Sequence, residues 1–484
     1  MQFVIRNPQF SNPQSLYSYK LSTMRLKVLL LVFHYFFIQS LFGQNVAGTW
    51  NGILNAGGTQ LRLVLKIESV GKSWKGTLQS PDQSEKFMDC DKVEFKNNEF
   101  QFEINALKIA YSGILKNEIL EGTFQQGGFK APLSFSRNEV KKQELVRPQE
   151  PKAPFSYLEE EITFHQSKAN FDLAGTLTRP KEGSSFPAVV LVSGSGPQDR
   201  NEEILGHKPF WVIADALTKS GVLVLRYDDR GVAKSKGDFS SATTRDLADD
   251  AAAAVAYLKS RKDVDASKIS VLGHSEGAMI ATILAAERND LQSVILLAGP
   301  GIRGDSLLLL QQALIARAEG GSEKDIKVTK DFSTAFFKII VEASNLEAAK
   351  SDGKKFLEKQ AKKLSKKELK EVGGKDAFVQ QNLDAFLSPW MFYFLRYDPV
   401  NDIRKIKCDV LALNGDKDLQ VPSKENLSSF NNNLSSTIQR RNLYELKNMN
   451  HLFQPTNTGK ISEYGSIETT ISTEVLEILV DWFK

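Results

Sequence analysis

Four short segments of this chain are almost wholly apolar: AVVLV at 188–192, VLVL at 222–225, ISVL at 269–272 and SVILLA at 293–298. A strand exposed on one face alternates apolar and polar residues. A strand with no such alternation must be covered on both faces, as in a parallel sheet flanked by helices. With these four, strands are expected at 159–165, 171–178, 187–193, 222–226, 268–273, 292–298, 409–414 and 442–446. Helical periodicity falls between them at 208–220, 246–260 and 277–287, and again at 472–484. Residues 158–484 therefore read as an α/β fold with a mostly parallel sheet and helices on both faces. About a hundred helix-like residues, 301–398, interrupt the rhythm and are expected to form an inserted cap. Within it, 350–375 holds ten Lys against four acids, the pattern of a solvated helix face.

The N-terminal part follows a different rule. Residues 61–67, LRLVLKI, alternate with period two, as a half-buried strand does. Residues 45–137 read as a small all-β domain, a barrel or a sandwich. A short unit recurs there: Trp50 to Leu54 around Gly52, Trp74 to Leu78 around Gly76, Tyr111 to Leu115 around Gly113, and more weakly Leu120 to Phe124 around Gly122. The glycines are expected to mark bulges or tight bends. A segment with Pro148, Pro151 and Pro154 among charges, 138–157, reads as a semi-extended linker.

The front end reads as an address. Residues 28–38, VLLLVFHYFFI, follow Arg25 and Lys27 and precede small Gly43. This is the layout of a secretory signal peptide, with cleavage expected near Gly43 and a possible true start at Met24. The run is short for a membrane span, so the membrane is expected only as a transient partner of this segment; the competing reading is an uncleaved anchor. The net charge of +4 sits in residues 1–43, which contain Arg6, Lys20, Arg25 and Lys27 and no acid, leaving 58 basic against 58 acidic residues. That balance gives no electrostatic case for nucleic acid. Cys90 and Cys408 fall in different expected domains and read as isolated thiols. No metal-ligand spacing occurs, and no cofactor is expected.

Chemistry enters at residues 268–277, KISVLGHSEG. Gly273-His274-Ser275-Glu276-Gly277 is a G-x-S-x-G between an expected strand and an expected helix, the context of a nucleophile elbow. A serine hydroxyl needs a base. Of the five histidines, His34 lies in the signal segment, His165 in an early strand and His207 before the first helix, while His274 is expected to point away from the reaction. His451 alone follows Ser275 in the order serine, acid, histidine. The acid is expected in NGDKDLQVP, 414–422, where Asp416 and Asp418 both qualify. The phrasing G-x-x-D-x-x-V-P favours Asp418. Oxyanion donors are expected from the backbone N–H of Glu276 and from the glycine-flanked loop after 187–193, at Ser195.

At these residues the chain resembles the α/β-hydrolase superfamily, and within it exported bacterial esterases with an N-terminal β domain, described as serine aminopeptidase-like hydrolases. The resemblance rests on GHSEG together with SGSGPQDRNE (193–202), RYDDRG (226–231), SPWMFYFLRYDP (388–399), LALNGDKDLQVP (411–422) and NHLFQ (450–454). It implies an α/β-hydrolase fold with a helical cap insertion. It also implies Ser275 as nucleophile, Asp418 as acid, His451 as base and the Ser195 and Glu276 backbone as oxyanion hole. Ser193 and Ala233 depart from the common pattern in loop positions that bear on substrate fit. Asp229 and Arg230 read as a structural brace. The function expected is cleavage of a small-molecule carboxylic ester by an exported, periplasmic or secreted enzyme. The alternatives are a peptidase with the same triad and a non-catalytic binding protein acting through 45–137.

Overall fold

The computed structural model describes residues 46–484 except 57–58, 72, 85, 127–128 and 141–146. The expected signal peptide, the Met24 start and the cut near Gly43 lie outside the described residues. The described residues form two compact units that divide near residue 140.

The first unit is a curled antiparallel sheet. Its strands are β1 (Gly48–Ala56), β2 (Thr59–Val70), β3 (Ser73–Gln79), β4 (Met88–Asp89), β5 (Lys92–Lys96), β6 (Glu99–Ile104), β7 (Ile109–Lys116), β8 (Ile119–Gln126) and β9 (Phe129–Ser136). They lie in the order β4-β3-β2-β1-β9-β8-β7-β6-β5. In the recurring unit Trp50 with Leu54, Tyr111 with Leu115 and Leu120 with Phe124 are buried, while Trp74 is only half-buried beside buried Leu78. The glycines serve a different end from the bulge expected. β7 and β8 pair without a break, and Gly113 stands opposite Gly122. A Cβ at either would fall within 2.7 Å of the Tyr111 hydroxyl. That hydroxyl donates to the Leu120 carbonyl at 2.9 Å. The two glycines thus clear a slot for one buried ring.

The second unit carries the mixed sheet. Its strands are β10 (Leu158–Gln166), β11 (Phe171–Arg179), β12 (Phe186–Val192), β13 (Leu223–Tyr227), β14 (Val264–His274), β15 (Ser293–Leu297), β16 (Asp409–Gly415) and β17 (Arg441–Leu446), in the order β10-β11-β13-β12-β14-β15-β16-β17. β10, β11 and β13 pair antiparallel, and the remaining pairs are parallel. The apolar runs have the cause inferred for them. In β12, Ala188, Val190 and Val192 join the core under the helices Thr244–Ser260 and Glu276–Glu287. Val189 and Leu191 join the opposite core, under Pro209–Lys219 and Thr473–Trp482.

Between β15 and β16 the chain is helical from Gly304 to Ile403. These helices bury a core of their own around Phe336, Phe337, Ile340, Leu357 and Leu395. Nine of the ten lysines of 350–375 are exposed, and Lys350 is half-buried. Of the proline-containing segment, Arg147 and Gln149 are bound to the second unit, donating to the carbonyls of Gly465, Ile467 and Ile471 at 2.7–3.0 Å.

Candidate active site

Ser275 caps the C-terminal end of β14 and opens the helix Glu276–Glu287, with φ 55° and ψ −116°. Positive φ is costly for a residue with a side chain, and the surroundings enforce it. The Ser275 N–H donates to the Leu297 carbonyl at 2.8 Å. A Cβ at Gly273 would lie 2.0 Å from the Gly277 carbonyl oxygen, and one at Gly277 would lie 2.0 Å from that of Val192. Strand and helix approach too closely for any other residue at either position.

His451 and Asp418 meet from two other strand ends. Asp418 follows β16 and His451 follows β17. His451 Nδ1 is 2.7 Å from Asp418 Oδ2, and both side chains are buried. The other oxygen of Asp418 accepts the N–H groups of Gln420 and Val421, each at 2.8 Å, which fixes the carboxylate plane. Asn450 shapes the histidine loop, its Oδ1 accepting the N–H groups of Leu452 and Gln454 at 3.0 Å. Asp416 is engaged elsewhere, accepting the Asn448 N–H at 2.6 Å.

Ser195, Ser275, Glu276 and His451 all line one cavity of about 300 Å³. Leu307, Leu308, Trp390, Met391 and Phe394, all from the inserted helices, give it an apolar wall. The aromatic segment 388–397 therefore lines the cavity and also packs inward through Phe394 and Leu395. Among the described residues no group of three His, Cys, Asp or Glu side chains is disposed to hold a metal ion.

The loop after β12 is held by the segment after β13. Asp229 accepts from the Ser193 hydroxyl at 3.1 Å and the Gln198 N–H at 3.0 Å. Asp228 accepts from the Arg200 N–H and guanidinium at 2.7–3.0 Å. Burial pushes the Asp229 carboxyl up to about 8, against the pull of these two donors. Asp229 and Arg230 brace separately, since Arg230 grips Asp250 through two bonds of 2.7 Å. Two motifs that look independent in the sequence are thus halves of one brace.

Two acidic residues take on more than their sequence context suggests. Glu276 is buried, and its carboxylate accepts from the Thr244 hydroxyl at 2.6 Å and the Trp390 indole at 2.7 Å. Glu202 accepts the Gly194 N–H at 2.6 Å and faces His274 Nδ1 at 2.9 Å. His274 was expected to point away from the reaction. Its Nε2 instead bonds the His451 carbonyl at 2.9 Å, and the two rings lie 4.8 Å apart. The one sequence sign of Glu202 is its place at the end of SGSGPQDRNE. His207 is buried against Thr470 and the Tyr464 carbonyl, and His165 pairs with exposed Asp172.

The sequence model of the family described as serine aminopeptidase, S33 (Hydrolase_4) matches residues 209–369, a span that includes Ser275 and stops short of Asp418 and His451. Esterase EstD of Thermotoga maritima is 30% identical over 288 residues, covering 58% of this chain and 64% of that protein. An uncharacterized protein of Mycobacterium tuberculosis is 36% identical over 107 residues, 22% of this chain and 34% of its own length. The chain thus spans less than two thirds of the curated relatives it matches. Among solved structures, the Pyrococcus furiosus esterase Pf2001 aligns over 68% of this chain and 92% of its own, with TM-score 0.39 and 15% identity. Est1E of Butyrivibrio proteoclasticus, solved with ferulic acid, aligns over 67% and 96%, with TM-score 0.38 and 17% identity.

Proposed function

We propose that the chain is a member of the α/β-hydrolase superfamily and, from that premise, a serine hydrolase cleaving carboxylic esters. The observation that carries the reading is the 2.7 Å contact between His451 Nδ1 and Asp418 Oδ2 beside the cavity that Ser275 lines. A carboxylate on Nδ1 fixes the tautomer that leaves Nε2 as the base. In the proposed sequence His451 takes the Ser275 proton as Oγ attacks the ester carbonyl. The tetrahedral oxyanion is received by the backbone N–H groups of Glu276 and Ser195. The Gly194 N–H is already given to Glu202, which favours Ser195 as the second donor. His451 then protonates the leaving alcohol, and water, activated by the same histidine, frees the acid from Ser275.

The apolar wall of the cavity supports an uncharged acyl group. The two acids that line it are engaged by protein donors, Glu202 by Gly194 and Glu276 by Thr244 and Trp390. This supports an ester over a peptide whose charged amino terminus would need an acid. The peptidase reading keeps the same triad and is drawn from the description of the matching family. Fluorophosphonate labelling tests the nucleophile, with label on the wild type and none on Ser275→Ala. Turnover of p-nitrophenyl acetate against an aminoacyl-amide separates the two substrates. Folded protein that is inert to short esters overturns the ester reading. The signal-like residues 25–43 support export with cleavage near Gly43, and recovery outside the inner membrane of protein still carrying residues 24–43 would overturn the cleavage.

A further inference from the structure

His274 sits between two acceptors. Its Nε2 faces the His451 carbonyl oxygen and its Nδ1 faces Glu202 Oε1, each at 2.9 Å. A carbonyl oxygen only accepts, so Nε2 carries a hydrogen. Oε1 also accepts the Gly194 N–H at 2.6 Å. An oxygen already accepting the Gly194 N–H faces Nδ1 as an acceptor too, so Nδ1 carries a hydrogen as well. An imidazole protonated on both nitrogens is a cation. The two side chains are only 8% and 5% exposed, and a buried charge of one sign requires its partner.

We propose that Glu202 and His274 form a standing ion pair that positions the catalytic groups. The proposal rests on the serine-hydrolase reading. The carboxylate holds the loop carrying Ser195 through Gly194. The imidazolium, one residue before the nucleophile, holds the backbone of His451. Three strand ends, those of β12, β14 and β17, meet at this pair. Both are positioning residues, acting through Ser195, Ser275 and His451.

The titratable groups facing His274 are Glu202 from the loop after β12, Asp418 from the end of β16 and the His451 ring from beyond β17. Burial alone would lower the proton affinity of His274. The Glu202 carboxylate, the His451 carbonyl and the charge of Asp418 outweigh it and hold the ring above the ordinary histidine range.

The sequence has five histidines, so ring-¹⁵N-labelled protein gives few signals. At pH 7 the His274 ring is expected to carry protons on both nitrogens in the wild type and in Ser275→Ala. Glu202→Gln is expected to lose that signature and to lower kcat by about 10- to 100-fold, with KM little changed, as misplaced catalytic groups do. The alkaline limb of its kcat profile is expected to move to lower pH, because His274 has lost its counter-charge. His274→Gln, which keeps an N–H for the His451 carbonyl but no charge, is expected to fall in kcat likewise. A neutral His274 ring in the wild type overturns the proposal, and that spectrum needs no variant to fold. Glu202→Gln with wild-type kcat overturns it too. Absence of fluorophosphonate label on Ser275 overturns the hydrolase reading and the positioning role with it, while the ring spectrum separately decides the ion pair.

Discussion

The indole N–H of Trp390 donates to Glu276 Oε1 at 2.7 Å, tying the inserted helices to the residue directly after Ser275. Trp390 also lines the cavity and stacks on Phe394 with ring centroids 5.4 Å apart. One hydrogen bond therefore links the cavity wall to the residue after Ser275. Burial raises the proton affinity of Glu276, opposed by its donors Thr244 and Trp390. Trp390→Phe keeps the stack and removes the donor. It is expected to raise KM for an acetate ester several-fold and to cost about 1–3 kcal/mol of stability, the penalty of a buried acceptor left short of a partner. Steady-state kinetics and denaturant unfolding measure the two effects.

Asp418 and Asp416 stand two residues apart with different tasks. Asp418→Asn is expected to lower kcat by about 10⁴, because an amide stabilises the wrong histidine tautomer. Asp416→Asn removes a loop acceptor for the Asn448 N–H and is expected to leave kcat within a few-fold of wild type. Equal losses in the two variants, measured on the same ester, would assign the acid wrongly.

His207 makes stability depend on acidity. Burial, aided by the charge of Arg147, pushes its ring down to about 4. The unfolded chain binds that proton at about pH 6.5, ahead of the folded one. Stability from this residue is complete above pH 6.5 and falls as pH drops towards 4, by about 3 kcal/mol in all. In His207→Gln the slope of unfolding free energy over this window is expected to flatten; an unchanged slope means another group is responsible.

The slot for Tyr111 sets a stability prediction in the β unit. A Cβ at Gly122 would lie 2.3 Å from the Ser112 carbonyl oxygen and 2.6 Å from the Tyr111 ring. Gly122→Ala is expected to cost about 3 kcal/mol or more, since both neighbours are fixed in a packed core. Adding Tyr111→Leu is expected to recover part of the loss, because it removes one of the two clashes. A double variant no more stable than Gly122→Ala would place the whole strain on the backbone.

The sequence by itself determined the sheet and the strand-turn-helix at Ser275. All eight strands expected from 159 to 446 occur within a few residues of their places, the four central ones because a strand buried on both faces has an unmistakable composition. Ser275 was legible because G-x-S-x-G encodes a backbone crowding that only glycine survives, and that crowding is local. The choice between Asp416 and Asp418 rested on phrasing, and only the fold separates them geometrically, by bringing the end of β16 to the end of β17. The pairing of Asp228 and Asp229 with residues 193–200, the grip of Trp390 on Glu276, and the Glu202–His274 contact were hidden. Each joins residues 28 to 114 positions apart, and no periodicity connects them. Such contacts exist only once separate strands end side by side, so tertiary structure alone decided what surrounds the serine.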